Sequence, residues 1–177
     1  MEARDTKLSG CIILEPRVFE DSRGYFFESY NEYQFEKLTG RKGGFIQDNQ
    51  SSSGYGVIRG LHFQKGEFAQ AKLIRALKGR ILDVAVDIRP DSPTYKQWVG
   101  IELSDENKLQ LYIPRGFAHG FSVLSENAVI AYKCDNVYNK EAESGFRFDD
   151  PALNIDWSIP EEKIILSEKD RELPYLF

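Results

Sequence analysis

The stretch Ile81-Leu82-Asp83-Val84-Ala85-Val86-Asp87-Ile88 decides the fold. Leu82, Val84, Val86 and Ile88 fall on one face, and Ile81, Asp83, Ala85 and Asp87 on the other. That two-residue period belongs to a β-strand and not to a helix. Working outward, Trp98 to Leu103 reads as another strand, and Leu109, Leu111 and Ile113 alternate with Gln110 and Tyr112. Ala128 to Cys134 sets Ala128, Ile130, Tyr132 and Cys134 against Val129, Ala131 and Lys133. Turn signals separate these runs: Gly54 and Gly56, Lys78-Gly79, Arg89-Pro90-Asp91, Asp105-Glu106-Asn107, Pro114-Arg115-Gly116 and Glu126-Asn127. Short strands punctuated at near-regular spacing predict an all-β sandwich or barrel. One short helix is expected, with Asn31 as N-cap, Gln34 completing a capping box, Phe35 and Leu38 on one face and Gly40 as the stop. The last stretch, Phe148 to Phe177, is broken by Asp149-Asp150-Pro151, Ile159-Pro160 and Leu173-Pro174. It reads as an irregular, ordered segment with short helical turns.

No linker, repeat or low-complexity tract interrupts the 177 residues, so a single domain over 1–177 is expected. Lys and Arg total 23 against 28 Asp and Glu, a net charge of -5. With no basic run, that balance argues against a nucleic-acid partner. Apolar runs such as Cys11-Ile12-Ile13-Leu14 are far short of the roughly 20 residues of a membrane span, so no membrane association is expected. Met1 to Gly10 carries no apolar core of a secretory signal, and two cysteines, Cys11 and Cys134, do not make a disulfide framework. A cytoplasmic location is expected.

The chemistry-bearing residues are few. The only two histidines stand in Gly60-Leu61-His62-Phe63 and Ala118-His119-Gly120-Phe121. Imidazole is the side chain best matched to proton transfer near neutral pH. Arg59, Lys72 and Arg75 lie near His62 in sequence, and Arg23 sits in the polar turn Asp21-Ser22-Arg23-Gly24. Such cations suit a phosphate or diphosphate, and equally well ordinary surface ion pairs. No G-x-G-x-x-G, P-loop or G-x-S-x-G string is present. Pro114-x-Gly116-x-x-His119 resembles the second signature of the cupin jelly rolls. Where their first signature supplies His-x-His, this chain has His62-Phe63-Gln64. Two histidines and one carboxylate are a thin ligand set, so no metal is expected.

Taken together, the strings resemble the dTDP-4-dehydrorhamnose 3,5-epimerase family over nearly the whole chain. They are Glu15-Pro16-x-Val18-Phe19-x-Asp21-x-Arg23-Gly24, Phe27-Glu28, Gln47-Asp48-Asn49, Arg59-Gly60-Leu61-His62-Phe63-Gln64 and Gln70-x-Lys72-Leu73. Then follow Asp83 to Arg89, Pro114-x-Gly116-Phe117-Ala118-His119-Gly120-Phe121, Tyr132-Lys133 and Leu166-Ser167-x-Lys169-Asp170. The resemblance implies a cupin-like jelly roll, a homodimer with exchanged N-terminal strands, and neither metal nor organic cofactor. It implies a dTDP-sugar substrate, dTDP-4-dehydro-6-deoxy-D-glucose, converted to dTDP-4-dehydro-L-rhamnose. His62 would be the base, paired with Asp170, Tyr132 the acid and Lys72 the group that stabilises an enolate. His119, with Asp83, would touch substrate. Arg23, Phe26, Glu28, Gln47, Asp48, Asn49, Arg59, Tyr138, Glu143 and Lys169 would bind it, Tyr138 by stacking on thymine. The chain has Gln50 where many members carry His, and Ser51-Ser52-Ser53 where a basic residue is common. Three other readings stay open here: an epimerase of one centre only, a non-catalytic sugar-nucleotide-binding cupin, and a metal-dependent cupin.

Overall fold

A computed structural model describes residues 1–41 and 44–176. The chain runs through β1 (Glu2–Asp5), β2 (Ile12–Glu15), β3 (Phe19–Asp21), β4 (Gly24–Phe26), α1 (Glu32–Thr39), β5 (Gln47–Gly54) and β6 (Ile58–Gln64). There follow β7 (Lys72–Lys78), β8 (Arg80–Asp87), β9 (Trp98–Ser104), β10 (Gln110–Ile113), β11 (Phe117–Val123), β12 (Asn127–Cys134), β13 (Glu143–Gly145) and α2 (Glu168–Arg171). One antiparallel sheet has the order β1-β2-β10-β7-β12-β5 and a second β13-β6-β11-β8-β9, while β3 and β4 pair as a separate hairpin. The expected jelly-roll class is what forms, with helix confined to α1, α2 and two 3₁₀ turns among the described residues. None of these helices is long and apolar enough to cross a membrane.

The two large sheets pack face to face, and the alternation within β8 shows why. Ile81 and Ala85 point between the sheets, against Leu103, Phe121 and Val123 of their own sheet and Ile74, Leu111 and Ile130 of the other. Each of these side chains larger than alanine, fully buried, contributes about 1.5–3 kcal/mol relative to exposure. The opposite face of β8 is covered too: Val84 and Val86 lie under Leu153, Trp157, Phe148 and Ile155 of the C-terminal segment. That segment is irregular yet fixed by directed bonds. Trp98 Nε1 donates to Leu153 O at 2.8 Å, Trp157 Nε1 to Phe148 O at 2.8 Å, and Ser122 Oγ to Trp157 O at 2.7 Å. It therefore behaves as a third layer, and its end delivers α2 to the mouth of the barrel. Phe177, the last residue of the expected segment, lies outside the described residues.

The outer face of the six-stranded sheet is partly covered by α1. The Asn31 side chain accepts from Gln34 N, and Gly40 ends the helix at φ 67°. Phe35 then meets Phe45 and Tyr112 edge-on, at 5.3 and 5.1 Å between ring centroids. The hairpin of β3 and β4 stands apart, with Phe19, Tyr25 and Phe26 exposed, Phe26 by 71%.

Candidate active site

Strands β6 and β11 are neighbours in the five-stranded sheet, and their register sets His62 directly opposite His119. Beyond that pair the register shifts, where Gly60 faces Gly120. A Cβ on Gly60 would stand 2.5 Å from Gly120 Cα, and φ at Gly60 is +121°. Only glycine satisfies both conditions, so the strings around the two histidines are glycine-bearing for a backbone reason.

From the facing sheet come Lys72 of β7 and Tyr132 of β12, with Lys72 Nζ 5.8 Å from the Tyr132 ring centroid. A cavity of about 390 Å³ lies between the sheets, lined by Arg59, His62, Lys72, His119, Tyr132 and Asp170 among others. A second lobe of about 400 Å³ shares His62, Lys72 and Tyr132 and extends to Gln47, Asn49, Tyr138 and Glu143. These three shared side chains join the two lobes into one cleft.

Each histidine is held by a carboxylate through Nε2. His62 Nε2 lies 2.6 Å from Asp170 Oδ1, and His119 Nε2 lies 2.7 Å from Asp83 Oδ1. Neither Nδ1 has a partner among the described residues, so Nδ1 is the nitrogen left for a ligand. Asp170 is placed by α2, whose N-cap Ser167 accepts from Asp170 N at 3.1 Å. Burial pushes the Asp170 carboxyl up, but hydrogen bonds from His62, Ser167 and the Gly60 N–H, with the His62 charge, hold it below its ordinary value. Burial pulls His119 down and outweighs the opposing attraction of Asp83, so this imidazole stays neutral. Asp83 Oδ2 is buried without a partner among the described residues.

Burial also lowers Lys72, against the attraction of nearby acidic groups that include Asp83 and Glu143. Burial raises Tyr132, which keeps the phenol protonated at neutral pH. The arrangement provides a carboxylate-held imidazole on one wall, and a protonated phenol with the Lys72 amine beside it on the other. It can take a proton from one face of a ligand and return one to the opposite face.

At the rim, Glu143 accepts from Tyr138 Oη at 2.9 Å and from Lys169 Nζ at 2.5 Å. These bonds outweigh burial and hold Glu143 below its usual range. Gln47 Oε1 accepts the Tyr138 backbone N–H and Gln47 Nε2 donates to Asn49 Oδ1. Arg59 Nε donates to Ser53 Oγ at 3.1 Å, and its guanidinium has no carboxylate partner among the described residues.

Not every expected residue is brought to the cleft. Asp48 faces the other side of β5 and pairs with Lys133 at 2.9 Å. Arg23 pairs with Asp21 on the exposed hairpin, Phe26 is beside it, and Glu28 accepts from Asn31 Nδ2. None of these lines either lobe. Conversely Val57, Ile58 and Ile165 line the first lobe and were not singled out. No local signal marks them, because an apolar wall residue looks like core in a sequence. Among the described residues no group of three His, Cys, Asp or Glu side chains could hold a metal ion.

This fold and this cleft have close counterparts. A family model described as dTDP-4-dehydrorhamnose 3,5-epimerase matches residues 5–177. The enzyme of that name from Salmonella typhimurium is 53% identical over 174 residues, covering 97% of this chain and 93% of its own length. The crystal structure of the Elizabethkingia anophelis dTDP-4-dehydrorhamnose 3,5-epimerase superposes with a TM-score of 0.96 at 61% identity, covering 99% of this chain and 96% of that one. A dTDP-6-deoxy-D-glucose-3,5-epimerase from Legionella pneumophila, crystallised with dTDP-4-keto-L-rhamnose, gives 0.95 at 47% identity, with coverage of 99% and 92%. Likeness of this extent, in sequence and in backbone, means that the chain belongs to the dTDP-4-dehydrorhamnose 3,5-epimerase family.

Proposed function

We propose that the protein converts dTDP-4-dehydro-6-deoxy-D-glucose to dTDP-4-dehydro-L-rhamnose by inverting C3 and C5. The observation that carries the mechanism is the placing of the His62–Asp170 pair and Tyr132 on facing sheets across one cavity. Hydrogens on C3 and C5 are acidic because each carbon is α to the C4 ketone. His62 Nδ1 takes the proton, and Asp170 fixes the tautomer and favours the imidazolium that forms. The electron pair moves onto O4, and the Lys72 ammonium stabilises that enolate oxygen in a water-poor site. Tyr132 gives its phenolic proton to the carbon from the opposite face, which inverts the centre. Solvent then removes the proton on His62 and restores the one on Tyr132. The chain's own groups supply base, acid and electrophile, so the reaction as written calls on no cofactor.

The binding roles follow from charge and position. Arg59, with no carboxylate partner among the described residues, takes the diphosphate, assisted by Lys169 once Glu143 releases it. The Tyr138 lobe, with Gln47, Asn49 and Glu143, takes the nucleoside. His119 hydrogen-bonds the sugar through Nδ1. Arg23, Phe26 and Glu28 act in a homodimer with exchanged N-terminal strands, reaching the partner's cleft from the exposed hairpin. The chain works as one domain in the cytoplasm, where two buried thiols remain reduced.

The test is incubation with dTDP-4-dehydro-6-deoxy-D-glucose in D2O, reading deuterium at C3 and C5 by NMR, with sedimentation of the same sample. Deuterium at both carbons and L-rhamnose after a 4-keto reductase are expected, from a species of dimer mass. Label at only one carbon would make the protein a single-centre epimerase, and no label would reduce it to a binding protein.

A further inference from the structure

The inner face of β5 is a row of polar side chains. Gln47, Asn49, Ser51 and Ser53 are half-buried, while Asp48, Gln50 and Ser52 between them are exposed. Three of the four inner residues have assigned tasks in the structure: Gln47 holds the Tyr138 backbone, Asn49 bonds Gln47 and the Cys134 sulfur, and Ser53 holds Arg59. Ser51 is the exception. Its Oγ is buried and has no hydrogen-bond partner among the described residues. A hydroxyl removed from water without compensation costs about 1–3 kcal/mol, so an idle one in a cleft is a sign of a missing ligand.

The place of Ser51 says which ligand atom. Register sets Asn49 opposite Tyr132, Ser51 opposite Ile130 and Ser53 opposite Ala128. Same-face neighbours on a strand lie about 6–7 Å apart. Ser51 therefore stands between the phenol of Tyr132 on one side and Ser53, which anchors Arg59, on the other. It lines the same cavity as both Tyr132 and Arg59. A turn about χ1 gives up no hydrogen bond and presents the hydroxyl to whatever fills that cavity. In the proposed substrate the diphosphate is borne on C1 and inversion occurs at C3. The atom joining them is C2, and it carries a hydroxyl.

We infer that Ser51 is a specificity-determining residue of the sugar subsite, whose hydroxyl pairs with the C2 hydroxyl of the bound hexulose. This rests on the reading given above, in which Arg59 takes the diphosphate and Tyr132 acts at the reacting carbon. Pairing at C2 fixes rotation of the ring about the C1–O bond, and so decides whether C3 meets His62 and Tyr132. It also discriminates against 2-deoxy sugars, which leave Ser51 idle.

The experiment is a cycle of enzyme and substrate changes. Ser51→Ala and the unaltered protein are each assayed for deuterium exchange on the natural substrate and on its 2-deoxy analogue, with melting temperature and dTDP affinity measured alongside. Removing either hydroxyl alone is expected to lower kcat/KM about tenfold, and removing both to cost no more than one. Because Oγ has no partner among the described residues, Ser51→Ala should melt no lower than the unaltered chain and bind dTDP equally well. Unchanged kcat/KM in Ser51→Ala, multiplicative losses in the cycle, or a lowered melting temperature would each overturn the assignment. Tyr132→Phe, run in parallel, separates the two layers. If it fails to invert while the Ser51 cycle shows no coupling, the Ser51 proposal alone falls. If it is fully active, the placement of the reacting carbon falls and Ser51 with it.

Discussion

Asp170→Asn is the sharpest perturbation the structure offers, since it changes charge and almost nothing else. Asp170 is only 4% exposed, and its Oδ1 lies 2.6 Å from His62 Nε2. The amide has the same shape, and the Ser167 cap on the residue 170 backbone N–H is untouched. What is lost is the carboxylate that makes Nε2 the protonated nitrogen and Nδ1 the free base. An amide that donates to Nε2 forces the proton onto Nδ1, the atom that must accept one. Loss of correct tautomer and of imidazolium stabilisation together should lower exchange at both C3 and C5 by about 10³- to 10⁴-fold. Exchanging a hydrogen bond to a charged group for a neutral one should cost about 1 kcal/mol of stability, or about 2–4 °C in melting temperature for a chain of this size. The assay is deuterium uptake by NMR, with dTDP affinity by calorimetry as the control for an intact cleft. The pH dependence follows from the sign of the shift. Asp170 is held below its ordinary value, so its stabilising contribution is complete above the unfolded carboxyl pKa of about 3.9. It is lost as pH falls through the lowered folded value. The amide variant should lack that part of the acid transition. Exchange within tenfold of the unaltered protein would refute Asp170 as the partner of the base.

Tyr132→Phe should keep exchange at C3 and C5 yet stop inversion, because His62 can still take and return a proton on one face; product formation at the normal rate would place the acid elsewhere. Lys72→Met, which keeps length but not charge, should lower exchange by about 10²- to 10³-fold with dTDP binding retained; a loss within threefold would mean that the enolate oxygen is stabilised by another group. Asp87 is fully buried and accepts from Arg89, Ser92 and Thr94, bonds that overcome burial and hold it below the ordinary carboxyl range. Asp87→Asn should cost about 3 kcal/mol in urea unfolding without changing exchange per folded molecule. Its stabilising effect, too, should vanish only as pH falls below the normal carboxyl range.

The parts of the fold that repeat an apolar period were legible in the residues, and the parts that line the cleft were not. Trp98 to Leu103 and Ala128 to Cys134 lie within β9 and β12, and the Asn31 cap and Gly40 stop bound α1 as expected. Strand β5 has the sequence QDNQSSSG, with no apolar residue to betray a strand. It is a strand because β12 supplies its backbone partners on one side, and three of its four inner side chains (Gln47, Asn49 and Ser51) line the cleft. Strand β11 fails in the other direction, since all seven of its residues are buried and no alternation remains to be seen. At the site, neither histidine could be paired with its carboxylate from spacing. His62 and Asp170 are separated by 108 positions and His119 and Asp83 by 36. Only the family resemblance proposed those pairs. The fold realises the first by carrying the irregular C-terminal layer back over the sheet, and the second by pairing β8 with β11.

Two similar histidine–carboxylate pairs side by side raise the question of why one would be the base and the other not. Exposure gives the first part of the answer. The His62 side chain is 29% exposed and that of His119 is 8% exposed. A base that must shed a proton to solvent in every cycle needs that access. Charge gives the second part. Lys72 stands by both rings, and both its charge and that of His62 push His119 further toward the neutral form. If His119 were also protonated, three cations would share one water-poor cavity, and the imidazolium formed on His62 would be opposed by both of the others. Burial of His119 removes that repulsion in advance. Asp83, buried beside it with Oδ2 unpartnered among the described residues, leaves a negative centre that favours the Lys72 ammonium. On this reasoning His119 can supply a hydrogen bond to the sugar but not carry a proton across. Asp83→Asn should then impair exchange through Lys72, shifting its pH profile downward, while Asp170→Asn acts on the base itself.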